Sequence, residues 1–209
     1  MMDVIFHLLG GIGLFLLGMA LLSDGLVGFA GAALRKALLR FTGTPWRGFV
    51  SGALTTIIIQ SSTATTVTLI GFVSAGLIGY SQAVGVVIGA SLGTTATGWF
   101  VAGLGLKINL GYYTLPLIGA GAFLRVLGHG RWRHMGLALA GFGMLFLGLS
   151  GMQEGMQGMA DDFDLKSLPS QGLLAHVLAM LAGVVLTTVL QSSTAAVATT
   201  LTALHARTI

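Results

Sequence analysis

The chain has 209 residues, of which 55% are hydrophobic and only 8% are charged, and its mean hydropathy is +0.93. Soluble domains carry about 25% charged residues, so this composition excludes a soluble domain and predicts an integral membrane protein. The net charge of +4 comes from scattered Lys and Arg residues, and nucleic-acid binding through a long basic run is therefore excluded. The chain has no cysteine, which excludes disulfides and thiolate metal sites.

The first predicted element is a membrane-spanning helix over residues 4–22, a run of 19 mostly apolar residues that is long enough to cross a bilayer. Residues 27–40 carry Arg35, Lys36 and Arg40 among apolar residues. This pattern predicts a separate amphipathic helix at the membrane surface.

Residues 46–77 contain the polar run Gln60-Ser61-Ser62-Thr63 near their middle. One straight helix of this length would reach about 48 Å, whereas the hydrocarbon core is about 30 Å thick. Two arms of about 14 residues would each reach about 21 Å, which is short of a crossing. The segment therefore predicts a re-entrant helical hairpin with the polar run at its tip.

The remaining chain predicts a second, similar series of elements. In order these are a helix over 81–104 broken by Gly89-Ala90-Ser91-Leu92-Gly93-Thr94-Thr95, a spanning helix over 112–127, a cytoplasmic linker over 128–134, a spanning helix over 135–153, an external loop over 154–171 and a second hairpin over 172–205. The polar run of the second hairpin is Gln191-Ser192-Ser193-Thr194, which lies 131 positions after the first.

These parallels predict an internal repeat, residues 1–127 and 135–209, the second incomplete. Gly11–Gly18 matches Gly141–Gly148 in sequence. Basic residues favour the cytoplasmic side of a membrane. The loop after the first helix is basic and its counterpart after 135–153 is acidic, so the two repeats are expected to be inverted. The prediction is an all-α, multi-pass protein of the plasma (inner) membrane with an external N-terminus, an organisation typical of secondary transporters.

The polar runs are the candidate binding site, because free helix ends and hydroxyl groups can bind both anions and cations. The alternative is a helix-packing patch whose hydroxyls bond carbonyls of their own helix. No Asp or Glu occurs between Asp24 and Glu154, so we expect the first hairpin to lack a carboxylate. Neutral oxygens suit Na⁺ better than Mg²⁺ or Ca²⁺, which commonly use carboxylates.

These residues resemble the type II sodium-dependent phosphate cotransporter family, which carries a Gln-Ser-Ser-Ser run in each of two inverted repeats and a trailing Gly-Ala-Asn-Ile-Gly-Thr-Thr-like segment. Here Thr63 and Thr194 replace the last Ser, and Ser91 replaces the Asn. The resemblance implies that the tips bind phosphate and sodium. The candidate residues are Gln60, Ser61, Ser62, Thr63, Ser91, Thr94, Thr95, Gln191, Ser192, Ser193 and Thr194. Sodium is expected at Gln60, Ser62, Thr94, Gln191 and Ser193.

The expected function is sodium-coupled uptake of inorganic phosphate by alternating access, without enzymatic activity and with no cofactor besides sodium as co-substrate. Two alternatives remain open at this point. One is sodium-coupled transport of another oxyanion, a carboxylate or sulfate. The other is a non-transporting membrane subunit that binds a regulator.

The repeat also predicts a segment beyond the last residue. Gly89 follows Gln60 by 29 positions, so the counterpart of Gly89–Thr95 would fall near 220–226, after Ile209. We therefore expect the 209 residues to be a fragment or a truncated product of a bacterial family member, unable to transport alone.

Overall fold

The computed structural model describes residues 2–105, 111–162, 173–190 and 192–205, and within these ranges every regular element is a helix. The helices are α1 (Met2–Phe41), α2 (Pro45–Ile59), α3 (Ser62–Ser74), α4 (Tyr80–Phe100), α5 (Gly111–Leu127), α6 (Arg131–Asp162), α7 (Leu173–Leu190) and α8 (Ser193–His205). A π-helical turn, Val101–Gly105, continues α4. The all-α class predicted from composition is confirmed for these residues.

Three of the described helices are long and apolar enough to cross a membrane. The apolar stretches are Val4–Phe41 in α1, Tyr80–Gly103 in α4 and its π-helical turn, and Arg131–Met156 in α6. Helices α3, α5 and α7 contain shorter apolar stretches. Large apolar side chains such as Val184 and Val189 are well exposed, as expected of a surface that faces lipid.

Helices α1 and α6 pack antiparallel through glycines spaced seven residues apart. A Cβ atom on Gly18 would overlap the backbone nitrogen of Leu145, and one on Gly148 would overlap that of Phe15. Around this contact lies a core cluster of buried side chains that includes Phe15, Leu149 and Met152. Small residues let membrane helices approach closely and gain dispersion energy, so this glycine spacing determines the longest helix contact.

Helices α2 and α4 pack parallel through the small-xxx-small pairs that the sequence contains. A Cβ on Gly52 would overlap the carbonyl oxygen of Val86, and one on Gly89 would overlap that of Phe49. The start of α4 is also tied to the α1–α2 turn, because Gln82 Nε2 donates a hydrogen bond to the Gly43 carbonyl at 3.2 Å. This packing places α4 directly behind the first polar run.

The segments 4–22 and 27–40, predicted as separate helices, are one continuous helix, α1. No proline lies between them, and among the described glycines only Gly76 and Gly130 have a positive φ. Gly25, at the expected break, instead packs against the backbone of Ala138 in α6. The glycine thus serves helix packing, and the cationic residues after it extend the same helix.

Three further boundaries differ from the predicted ones. Helix α4 is a regular α-helix through Gly89–Thr95, since Gly89 and Gly93 pack against carbonyls of α2 and do not open the helix. Helix α6 begins at Arg131 and continues to Asp162, so the linker is shorter than 128–134 and the loop expected from residue 154 is helical at its start. The remainder of that loop, 163–171, lies outside the described residues.

We predict that Gly18→Ala weakens the α1–α6 contact, because the added Cβ would overlap backbone atoms that cannot rotate away. Overpacking of this kind costs about 1–3 kcal/mol. Gly13→Ala is the matched control, since nothing lies within 4 Å of a Cβ built there. The measurement is thermal unfolding of the purified protein in detergent. Equal midpoints for the two variants would contradict the packing described here.

Candidate functional site

The first polar run forms the connection between α2 and α3. Gln60 ends α2 in the left-handed conformation, with φ 57° and ψ 27°, and it is the only described non-glycine residue with a positive φ. Such a conformation is uncommon for residues other than glycine and tends to occur at functional sites. Ser61 then caps α3, because its Oγ accepts a hydrogen bond from the Ala64 backbone N–H at 3.2 Å.

The second polar run has the same local geometry in the part that the structure describes. Ser192 caps α8 by accepting a hydrogen bond at Oγ from the Ala195 backbone N–H, also at 3.2 Å. Ser61 and Ser192 occupy equivalent positions of the two runs. Each run therefore begins a helix at its third residue. Gln191 lies outside the described residues.

Three hydrogen bonds fix the first tip, one to α4 and two within the hairpin. The Oε1 atom of Gln60 accepts a hydrogen bond from Thr97 Oγ1 of α4 at 2.7 Å, and its Nε2 donates to the Ile57 carbonyl at 2.6 Å. Between the two arms, Thr56 Oγ1 donates to Thr65 Oγ1 at 3.0 Å. Both threonines are only 1% exposed, so this hydroxyl pair is satisfied inside the hairpin.

A cleft of about 380 Å³ brings the two polar runs together with α4; we call it the uncharged cleft. Its lining comprises Ser62, Ser91, Thr94, Thr95, Gly98, Ser193, Thr194 and Val197. Ser62 is the first residue of α3 and Ser193 the first of α8, so two helix N-termini adjoin this space. No lining residue carries a charge.

The hydroxyls of the uncharged cleft fall into two groups. Ser91, Thr94 and Thr95 of α4 donate to carbonyls of their own helix, at 3.0, 3.2 and 2.7 Å. Their oxygens are therefore left to accept. The side chains of Ser62, Ser193 and Thr194 have no hydrogen-bond partner within the described ranges. Their hydroxyls are free to donate or accept. The α4 side of the cleft therefore offers only acceptors, whereas the side formed by the two polar runs also offers donors.

A second cleft of about 390 Å³ lies between α1 and the first hairpin; we call it the Asp24 cleft. Its polar lining includes Ser23, Asp24, Arg35, Ser61, Thr63 and Thr68. The hairpin itself has no Asp or Glu, but a carboxylate of α1 adjoins its tip. Helix α1 continues through the break predicted after residue 22, and it thereby places Asp24 in the same cleft as the tip.

The structure thus divides the predicted site residues. Six of them share the uncharged cleft, namely Ser62, Ser91, Thr94, Thr95, Ser193 and Thr194. Ser61 and Thr63 line the Asp24 cleft. Ser192 is a helix cap, and Gln60 is among the lining residues of neither cleft. Of the predicted sodium ligands, Ser62, Thr94 and Ser193 therefore lie around one space. Thr97, which sequence reasoning did not select, holds the tip through Gln60.

We predict that Thr97→Val destabilises the protein by about 1–3 kcal/mol, because the partly buried Gln60 oxygen would lose its donor. Thr95→Val serves as the control, since that exposed hydroxyl bonds only to its own helix. Both variants keep a β-branched side chain of similar volume. Thermal unfolding in detergent measures the difference. If Thr97→Val unfolded at the same temperature as Thr95→Val, the hydrogen bond would not be holding the tip.

Comparison with known proteins identifies the family. The family model described as Na⁺/Pi-cotransporter matches residues 14–154. The uncharacterized protein YqeW of Bacillus subtilis is 33% identical over 184 residues, which is 86% of this chain and 57% of that protein. No solved structure matches.

Two further relatives have descriptions that name phosphate. The putative inorganic phosphate export protein YjbB of Escherichia coli is 33% identical over 44% of this chain and 17% of its own length. The sodium-dependent phosphate transport protein 2A of Rattus norvegicus is 38% identical over 28% of this chain and 9% of its own. The chain spans little more than half the length of YqeW and much less of the others. The match over most of its residues shows that the chain belongs to the Na⁺/Pi-cotransporter family.

Proposed function

We propose that the protein couples the movement of inorganic phosphate across the plasma membrane to that of sodium, with the uncharged cleft as the phosphate site. The observation that carries this proposal is that both polar runs and the α4 hydroxyls line one cleft. Family membership supports phosphate as the substrate.

The side of the uncharged cleft that is formed by the N-termini of α3 and α8 favours an oxyanion. The first N–H groups of a helix have no partner within the helix, and the helix dipole places partial positive charge there. Two such ends, those of α3 and α8, adjoin the cleft through Ser62 and Ser193. With their unpartnered hydroxyls they form a set of neutral donors that suits phosphate.

The α4 wall favours a cation. The hydroxyls of Ser91, Thr94 and Thr95 donate hydrogen bonds to carbonyls of α4. Each hydroxyl oxygen therefore has a lone pair available for a cation. Hydroxyl oxygens without a carboxylate suit a monovalent ion such as Na⁺ better than a divalent one. A sodium ion here would lie beside the anion and reduce its charge.

The α1–α6 contact supports the inverted organisation and hence alternating access. Gly11 matches Gly141 in sequence, and Gly18 matches Gly148. In the contact the partners are exchanged: a Cβ on Gly11 would meet the Gly148 carbonyl, and one on Gly18 that of Gly141. A two-fold axis between equivalent helices produces this exchange, and inverted repeats of this kind support rocking about a central site.

The test is transport by the full-length protein in liposomes, with radiolabelled phosphate inside or outside. We expect an imposed Na⁺ gradient to accelerate phosphate entry, and an equal K⁺ gradient to have no such effect. Excess sulfate or a dicarboxylate should compete weakly. A rate of phosphate movement that does not depend on the Na⁺ gradient would contradict the coupling. It would favour the export named for the YjbB relative. Absence of any transport would favour a non-transporting subunit.

We predict that Ser62→Ala and Ser193→Ala weaken phosphate binding without lowering stability. Each removes a donor to a charged ligand, which is worth roughly 1.5–3 kcal/mol, or about 10- to 150-fold in affinity. Ser61→Ala and Ser192→Ala provide the contrast, since those side chains are helix caps whose loss costs about 1 kcal/mol of stability. Radiolabelled phosphate binding and thermal unfolding separate the two effects. Wild-type affinity in both Ser62→Ala and Ser193→Ala would contradict the assignment.

A further inference from the structure

Asp24 lies near the middle of α1, a helix long and apolar enough to span a membrane, and its exposed side chain lines the Asp24 cleft. It is 22 residues after Met2 and 17 before Phe41, or about 33 Å and 26 Å from the two ends at 1.5 Å per residue. Apolar residues dominate both sides, and the next charged residue toward the C-terminus is Arg35. Ionisable groups within apolar membrane helices are rare, and those that occur generally face a water-filled cavity and serve ions or substrates.

The carboxylate has no hydrogen bond or ion pair within the part of the chain that the structure describes. Arg35 lines the same cleft but lies eleven residues along α1, about 16 Å away along the helix axis. That separation is too large for an ion pair. The negative charge of Asp24 is therefore not balanced by any described side chain.

The first tip supplies further oxygen atoms to the Asp24 cleft. Ser61 Oγ accepts from Ala64 and keeps its second lone pair. The Thr63 hydroxyl is exposed and has no partner among the described residues. One carboxylate with several hydroxyls suits a monovalent cation, because Ca²⁺ sites commonly gather more than one carboxylate and Mg²⁺ is usually held with substrate phosphates.

We propose that Asp24 makes this cleft a binding site for a monovalent cation, separate from the uncharged cleft on the other side of the tip. The negative charge that attracts a cation here repels phosphate, so this cleft takes a cation alone, whereas the uncharged cleft takes phosphate with the sodium ion proposed beside it. The identity of the ion as Na⁺ rests on the proposed function, whereas the cation site follows from the charge of Asp24.

The test is binding of radioactive sodium to the purified full-length protein, beside binding of radiolabelled phosphate in saturating Na⁺. We expect Asp24→Asn to lower sodium affinity at least tenfold while phosphate binding at saturating Na⁺ is retained. Asp24→Glu should keep most of the sodium affinity, because it keeps the charge. Glu154→Gln is the matched control: Glu154 is the counterpart of Asp24 in α6, is exposed, and lies 3.8 Å from His7.

Sodium affinity unchanged in Asp24→Asn would overturn the proposal, as would an equal loss in Glu154→Gln. If Asp24→Asn fails to fold, Asp24→Ser, which keeps a polar oxygen but removes the charge, decides the same question. Sodium binding that persists in the wild type without any phosphate binding would refute the proposed function and leave this site standing. Competition by protons or K⁺ as strong as that by Na⁺ would overturn the assignment of the ion.

Discussion

Contact between helix backbones at glycine is the interaction on which the rest of this structure depends. Apolar side chains gain little by leaving lipid for another helix, so membrane helices associate through close packing and polar contacts. Gly18 and Gly148 supply that packing between α1 and α6, and Gly52 and Gly89 supply it between α2 and α4. The second contact sets α4 behind the first tip, where Thr97 reaches Gln60.

A polar run in an apolar chain costs free energy unless its groups have partners. Here adjacent residues of the run solve this problem in different ways. The Gln60 side chain accepts a hydrogen bond from α4, and the Ser61 side chain accepts one from the first turn of α3. The hydroxyl of Ser62, by contrast, has no partner among the described residues and faces the uncharged cleft. The internal bonds therefore hold the run in place, and the unpartnered hydroxyls remain for a ligand.

The sequence alone predicts the features that depend on local pattern: the membrane class and the two polar connections between helices. It does not predict which serine caps a helix and which faces the cleft, because a shift of one residue in the helix start exchanges them. Nor does it place Asp24 beside the tip. That depends on α1 continuing through Gly25, which is decided by its contact with Ala138 rather than by any local signal.

The position of the tip between two clefts gives a physical route for coupling. Ser61 and Thr63 line the cleft that contains a carboxylate, and Ser62, which lies between them in the chain, lines the cleft that contains none. These three residues share one short backbone segment, so a ligand that displaces it on one face changes the geometry of the other. Coupling between binding sites is reciprocal. A cation that draws Ser61 and Thr63 toward Asp24 would therefore set the position of the Ser62 donors, and an anion held by those donors would in turn strengthen the cation site.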